Sequence, residues 1–556
     1  MAMDLFAKIT LGCLLFFLPF AFAGAEPWAF SVLQGGVILC WGLVLTSRRK
    51  LVVSPLFIPV LFTLGFLILF TLLQTCFPKT LLDKAVYYPV SLMPLYGWEH
   101  ASLFITYLAV VALVPQLYPS QAQGEKLLIQ IIVSVVAVAL CAASLPKGEY
   151  IFQLAGVRGG VGPFLNRNHA AVFFALGAVV ALGVFFTRQL HSRAGYIARQ
   201  RYAFYIQQGC LFLVFVGLCV GTVLTRSRGG ILSLVVGLFC YAFLCTWAIP
   251  RALKRRLKGI LITLVAAVMV TGWVYTHVKQ INAFSRRGTE ESTQTRKMLY
   301  RSAGRLLKEY PVWGIGVGAM PVAITSYVER PLRSYIERLH NDWLEILLGI
   351  GYGGALFVLG GLGWFIWRAL KRLRELSTRK QILFAALLSA LAAMSVGSGV
   401  DFHFFIPANA FLFFVLLGFV CAPTHAKERT DTVYLSSWIK LGLCVVLLAA
   451  VYVPGRKTLA WRYGVFGQGL KTPAKLVQYE RALAVYPSVR NAVRLGNTYY
   501  NASLHASGET EKSRLRGRAF EIAVTYLRRY PREKSLSALY MRARPAVGQR
   551  DPDLVK

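Results

Sequence analysis

Residues 206–258 read IQQGCLFLVFVGLCVGTVLTRSRGGILSLVVGLFCYAFLCTWAIPRALKRRLK. Two apolar runs, 206–225 and 230–249, flank a sharp corner of Arg, Ser and Gly, and a basic cluster closes the stretch. Each run has the roughly 20 residues a helix needs to cross a bilayer core. The stretch therefore reads as a membrane hairpin, with its corner on one face and its cationic cluster on the other. In lipid every backbone polar group must find its partner within the protein, and runs of this length do so as helices.

The composition of the whole chain agrees. It has 556 residues, with 61 Lys and Arg against 24 Asp and Glu, a net charge of +37. Such a basic excess on its own suggests a nucleic-acid partner. The rest of the composition argues against one, because 56% of residues are apolar and 15% charged, where a soluble domain is about 25% charged. The mean hydropathy is +0.55. These values exclude a soluble globular enzyme, a disordered chain and a collagen-like protein. The ten cysteines include no CxxC pair, so there is no zinc or thioredoxin signature. Most sit inside apolar runs, where Cys acts as a small hydrophobe.

Working outward from the hairpin, apolar runs recur at 9–24, 28–46, 51–74, 100–118, 127–145, 168–187, 259–277, 343–366, 381–400, 404–422 and 436–454. With the hairpin pair they make thirteen, and 12 to 14 spans fit the pattern. The stretch 81–98, with Pro89 and Pro94, reads as an outer-face loop, a re-entrant segment or a further span. Basic loops follow the second run (Arg48, Arg49, Lys50), the sixth (Arg188, Arg193, Arg199, Arg201), the eighth (Arg251, Lys254, Arg255, Arg256, Lys258), the tenth (Arg368, Lys371, Arg372, Arg374, Arg379, Lys380) and the twelfth (Lys427, Arg429). All follow even-numbered runs, so one orientation makes every one of them cytoplasmic. The expected fold is an all-α, polytopic transmembrane helical bundle. Residues 1–277 carry spans one to nine, 278–342 form a periplasmic loop domain, 343–455 carry spans ten to thirteen, and 456–556 form a helical tail. The first run, with Lys8 before it and Ala21-Phe22-Ala23 after it, reads either as a span or as a cleaved signal peptide.

Two segments are not hydrophobic. In 278–342, residues 297–309 place Leu299, Leu306 and Leu307 at helical spacing. This predicts an amphipathic helix lying on the bilayer or capping a cavity, ended by Pro311 and GIGVG at 314–318. The tail from 456 holds 20 Lys and Arg against 7 Asp and Glu. Tyr479–Pro487 and Phe520–Pro531 are helix-like stretches that each close on Tyr-Pro, and Leu495-Gly496-x-x-Tyr499 lies between them. The pattern fits a tetratricopeptide-like repeat or a helical hairpin packed on the membrane domain.

Ionisable groups beside membrane spans are expensive and suggest function. Four constellations fall on the expected outer face. Arg158 begins a Gly-rich loop that runs to Asn166, Arg167, Asn168 and His169. Its asparagines suit either ligand hydroxyls or a helix cap. Arg226 and Arg228 sit in the TRSRGG corner. Guanidinium binds phosphate through paired hydrogen bonds, and the plainer reading is snorkelling to headgroups. Arg296 has Tyr300 four residues on, and alone it is one more cation facing headgroups. His340, followed by Asn341, Asp342, Trp343, Leu344 and Glu345, enters a span. A lone His there is more often structural, but imidazole also suits general-base work near neutral pH.

These motifs resemble the O-antigen ligase / O-antigen polymerase superfamily of membrane glycosyltransferases, which are GT-C-like. The resemblance rests on GPFLNRNHAA (162–171), TRSRGGIL (225–232), R-x-x-x-Y (296–300), YPVWGIGVG (310–318) and LHNDWLEILLGIGYGG (339–354). DFHFFIPANA (401–410) looks like a segment of the subgroup with tetratricopeptide tails. Tyr300 stands where the family usually has Trp, and Arg226 is a second departure. The resemblance spans roughly 85–420. It implies a glycan donor on a polyprenyl diphosphate, with Arg228 and Arg296 holding the diphosphate and His340 activating or orienting the acceptor hydroxyl. Arg226, Arg158, Asn166, Asn168, Asn341 and Asp401 are further candidates for donor or sugar contacts. No metal and no cofactor is implied, since arginines take the cation's place. The acceptor is lipid A-core, a growing glycan or a protein, which makes the enzyme a ligase, a polymerase or an oligosaccharyltransferase. Its expected place is the bacterial inner membrane, with the site facing the periplasm. A reading of another class is a transporter or flippase of lipid-linked glycan, which predicts mid-span ionisable residues and repeat symmetry.

Overall fold

The structure is a computed structural model. It describes residues 2–79, 88–144, 161–190, 198–248, 285–328, 336–422, 432–530 and 534–544. Eight helices come first: α1 (Ala2–Phe20), α2 (Pro27–Ser47), α3 (Phe57–Thr75), α4 (Pro94–Leu117), α5 (Gln121–Ser144), α6 (Arg167–Gln189), α7 (Ala198–Leu224) and α8 (Arg228–Ala248). Then follow α9 (Ser285–Glu309), α10 (Asp342–Glu375), α11 (Thr378–Gly397), α12 (Pro407–Val420) and α13 (Ser437–Gln468). The tail forms α14 (Thr472–Val485), α15 (Val489–Leu504), α16 (Glu509–Arg529) and α17 (Lys534–Ala543). Among the described residues eleven helices are long and apolar enough to cross a membrane. Large apolar side chains such as Leu69, Leu213, Phe239 and Leu356 point outward, as a lipid-facing surface requires. The chain is an all-α, multi-pass membrane protein.

Of the thirteen expected spans, one differs and one is not described. The run 259–277 lies outside the described residues. The run 404–422 is realised by α12, only 14 residues long, or about 21 Å at 1.5 Å per residue. The segment before it, 398–406, is not helical but is buried, with Asp401 and His403 almost wholly enclosed. Its backbone is nevertheless bonded. Val400 and Asp401 N–H donate to the Gly397 carbonyl, Ile406 N–H to the His403 carbonyl, and Phe404 N–H to the Asp342 carboxylate. Non-helical backbone inside a bundle is tolerated when it is satisfied in this way. Residues 88–93 of the Pro-bearing stretch are likewise non-helical, and α4 starts at Pro94.

α6 is the central helix, buried on nearly every side. Its small residues admit close neighbours: a Cβ on Gly230 of α8 would lie 2.1 Å from that of Ala171. α1 is a full member of the bundle, with Leu11, Leu14, Leu15 and Leu18 in the core and the Leu15 carbonyl accepting from Ser134 Oγ. Pro454 in α13 has no N–H to offer the Ala450 carbonyl. Ser102 Oγ and Gln34 Nε2 donate to that carbonyl instead, a polar tie among α2, α4 and α13.

The described basic residues after α2 and at the end of α10 share one end of the bundle. Lys50–Val52 pairs antiparallel with Thr432–Tyr434. Arg372 donates to Ser54 Oγ and to the Val420 and Ala422 carbonyls, and Arg379 pairs with Glu125 at 2.8 Å. Arg374 lies 3.9 Å from the Trp247 ring, which brings the last turn of α8 to this end. α9 lies at the other end.

α10 is broken. Gly351 has φ 66°, ψ −175°, a region open essentially to glycine alone. The GIGVG segment docks into the break: Ile315 N–H donates to the Leu348 carbonyl, Gly316 N–H to that of Gly349, and Gly353 N–H to that of Val312. A Cβ on Gly351 would lie 2.4 Å from the Val312 carbonyl oxygen. Gly351→Ala therefore lowers stability by about 3 kcal/mol from backbone strain, measurable as a lower melting temperature in detergent.

The apolar face of α9 does not lie on lipid. Leu299, Leu306 and Leu307 pack in one cluster with Leu92, Ile315, Met320 and tail residues including Tyr479, Leu495, Ala523 and Leu539. Of the two settings expected for 297–309 this excludes the bilayer surface, because these leucines are enclosed by protein. Both Tyr-Pro closures end helices, with Tyr486 and Tyr530 as the C-caps of α14 and α16.

Candidate active site

The centre of the site is Asp401, carried by the buried segment 398–406. Its Oδ1 lies 2.8 Å from His340 Nδ1 and also accepts from Phe402 N–H at 3.0 Å. Its Oδ2 accepts from Asn168 Nδ2 at 2.5 Å and lies 3.6 Å from Arg296 Nη2. Burial alone would lift its carboxyl. The hydrogen bond with His340 and the charge of the surrounding imidazoles outweigh that and hold it below the usual carboxylate range.

Each partner arrives on a different element. Arg296 comes from α9 and anchors by donating Nη1 to the Val400 carbonyl at 2.8 Å. His340 immediately precedes α10 with a left-handed backbone, φ 57°, which costs a non-glycine residue about 1–2 kcal/mol. Tyr300 OH donates to the His340 carbonyl at 3.0 Å and helps to hold that conformation. Asn341 Oδ1 caps α10 by accepting from Leu344 N–H. Asp342 binds the site segment from both sides, its N–H donating to the Ser398 carbonyl and its carboxylate accepting from Phe404 N–H.

His340 Nδ1 faces two groups, Asp401 at 2.8 Å and Arg296 Nη2 at 3.5 Å. Only the carboxylate can accept a proton, so Nδ1–H points to Asp401 and Nε2 is left as the basic nitrogen. The Arg296 approach is then a charge contact.

The arginine corner packs beside this cluster. Arg226 is left-handed at φ 58°, Ser227 Oγ accepts from Gly230 N–H to cap α8, and Arg228 opens the helix. A Cβ on Gly229 would lie 3.1 Å from Val400 Cγ2, so the corner abuts the residue next to Asp401. Both guanidiniums are exposed. Among the described residues neither bonds to Arg296, His340 or Asp401.

Of the sequence candidates, Arg296, His340, Asn168 and Asp401 meet directly. Asn166 Oδ1 caps α6 through Asn168 N–H at 2.9 Å, so this oxygen serves the helix, as Asn341 does for α10. Arg158 lies outside the described residues. Two residues went unselected. His403 is buried 3.2 Å, Nδ1 to Nδ1, from His169, and the Phe402 ring contacts both His169 and His340. A His amid aromatics in DFHFFIPANA reads as core, so its only signal was its place two residues after Asp401.

Burial pushes the His403 imidazole down to about 4, against an unfolded value near 6.5. The folded state therefore favours the neutral ring. The associated stability is complete above about pH 6.5 and is lost as pH falls through about 4. His403→Gln, which keeps a hydrogen-bonding group and removes the titration, should flatten the fall in melting temperature over this window.

A buried carboxylate, an imidazole and a guanidinium are gathered at one end of a multi-pass bundle. Residues 213–359 match the family model described as O-Antigen ligase. The match runs from α7 through the arginine corner, Arg296 and His340 to the broken α10, so this stretch is similar to the O-antigen ligase domain, and it supports the O-antigen ligase / polymerase superfamily, whose members are membrane glycosyltransferases. No curated protein matches the chain.

Proposed function

We propose that this protein transfers a glycan from a polyprenyl diphosphate to an acceptor hydroxyl at the outer, periplasmic face of the bacterial inner membrane. The observation that carries the reading is the convergence of Arg296, His340 and Asp401 at the end of the bundle opposite the basic loops. Asp401 holds His340 with Nε2 free to take the acceptor hydroxyl proton. The acceptor oxygen forms the new glycosidic bond as the bond from the sugar to the diphosphate breaks. Arg296, with Arg228 and Arg226 from the adjacent corner, takes up the charge on the leaving diphosphate. Asn168 is tied to Asp401, and Arg158, Asn166 and Asn341 are second-tier sugar or donor contacts.

The same chemistry serves a ligase acting on lipid A-core, a polymerase acting on a growing glycan and an oligosaccharyltransferase acting on protein. A transporter would use the break in α10 to expose carbonyls to cargo. Here the Leu348 and Gly349 carbonyls are already bonded to residues 315 and 316, which favours a scaffolding role for the break. The test is purified protein with a polyprenyl-diphosphate glycan and each acceptor class. Transfer is expected from the wild type and lost in His340→Ala and Arg228→Ala. Undiminished transfer by both variants overturns the assignment.

A further inference from the structure

The basic tail has no part in the chemistry above, yet its cations are not uniformly distributed. On α16, Lys512, Arg514 and Arg518 each pair with a carboxylate three residues away, Glu509, Glu511 and Glu521. Arg516, on the same helix, instead lies 5.8 Å from the Tyr500 ring centre. Arg542 of α17 lies 5.5 Å from the same ring and donates to Asn497 Oδ1 at 2.9 Å. Among the described residues neither arginine is paired with a carboxylate, and Arg516 Nε has no hydrogen-bond partner. Two like charges on one half-exposed ring repel each other, and an anion between or beside them relieves that repulsion.

Resting on the transferase reading, we propose that Arg516, Tyr500, Arg542 and Asn497 form a binding surface for an anionic glycan. This makes the handled polysaccharide acidic and gives it a holding point outside the catalytic cluster. The tail is on the side of the molecule that bears the site: Arg490 lies 3.5 Å from Glu337, three residues before His340, and tail side chains share a core with α9. An anionic bilayer is the less suitable partner. α13 has 32 residues, about 48 Å of helix, against a hydrocarbon core of about 30 Å. Its last turns therefore carry the tail clear of the bilayer surface.

The test uses the full chain in zwitterionic nanodiscs, with labelled polygalacturonate oligomers as the acidic probe, dextran as the neutral one and phosphatidylglycerol vesicles as the lipid one. The wild type is expected to bind the acidic oligomer and not dextran. Arg516→Gln with Arg542→Gln should weaken that binding at least tenfold with melting unchanged, while Lys512→Gln, which alters a paired cation, leaves it intact. Equal binding by the double variant, equal binding of dextran, or binding to the vesicles alone overturns the proposal. The readout is binding, so it is distinguishable from failure of the transferase reading: that failure removes transfer and leaves oligomer binding in place.

Discussion

Asp401→Asn is expected to lower kcat by about 10²- to 10⁴-fold, the loss seen when an imidazole is held in the wrong tautomer. The donor KM should change little. The carboxylate accepts the Nδ1 proton of His340 at 2.8 Å and so leaves Nε2 unprotonated. An asparagine fits the same space, but its amide can donate to Nδ1 and drive the proton to Nε2, where the base is needed. Asn168, which donates to the other carboxylate oxygen, can keep its bond to the amide oxygen, so the fold survives. Steady-state transfer kinetics and a melting curve on the same sample separate the two effects. A fall in melting temperature that matches the loss of activity would contradict the tautomer argument.

Arg296→Ala is the second large effect. The guanidinium holds the Val400 carbonyl and stands 3.6 Å from Asp401, which is 2% exposed. Its removal leaves that buried charge with one cation fewer and the Val400 carbonyl without this donor, a penalty of about 1–3 kcal/mol. It also removes a donor from where negative charge develops on the diphosphate, worth about 10²–10³ in kcat. Arg296→Lys should recover much of the stability and little of the rate, since an ammonium gives a point charge in place of the planar fork. Equal recovery of both would make Arg296 a purely structural cation.

The spans were legible because length and hydropathy act locally, and the basic loops located one end of the bundle through charge alone. The shortening of α12 was not legible, since 404–422 is apolar apart from Asn409 whether it is a helix or a buried turn. Only the three-dimensional bonding of 398–406 to Asp342 and Arg296 decides between them. Arg228 stood out because arginines are unusual at a corner on the Lys- and Arg-poor face, His340 because it ends an Arg-rich loop just before a span, and Arg296 only through the family resemblance. The central place of Asp401 did not, because its partners come from α6, α9 and the residues just before α10, 61 to 233 residues away in the chain. His403 stayed hidden because its surroundings are aromatic. The glycines of GIGVG were read as helix punctuation and those of GIGYGG as part of a continuous span, and they proved to be the two halves of one joint. The face of Leu299, Leu306 and Leu307 was left between the bilayer surface and a cavity, since periodicity reveals an apolar face but not what meets it.

The central claim is that the donor's sugar–diphosphate bond is broken at this site. The most direct measurement reconstitutes the purified protein with a polyprenyl-diphosphate glycan and an acceptor, and quantifies free polyprenyl diphosphate and glycosylated acceptor in the same sample. The account predicts that the two appear in equal amounts with the wild type and that neither appears with His340→Ala. Movement of intact donor across the bilayer with no diphosphate released, in both proteins alike, would contradict it.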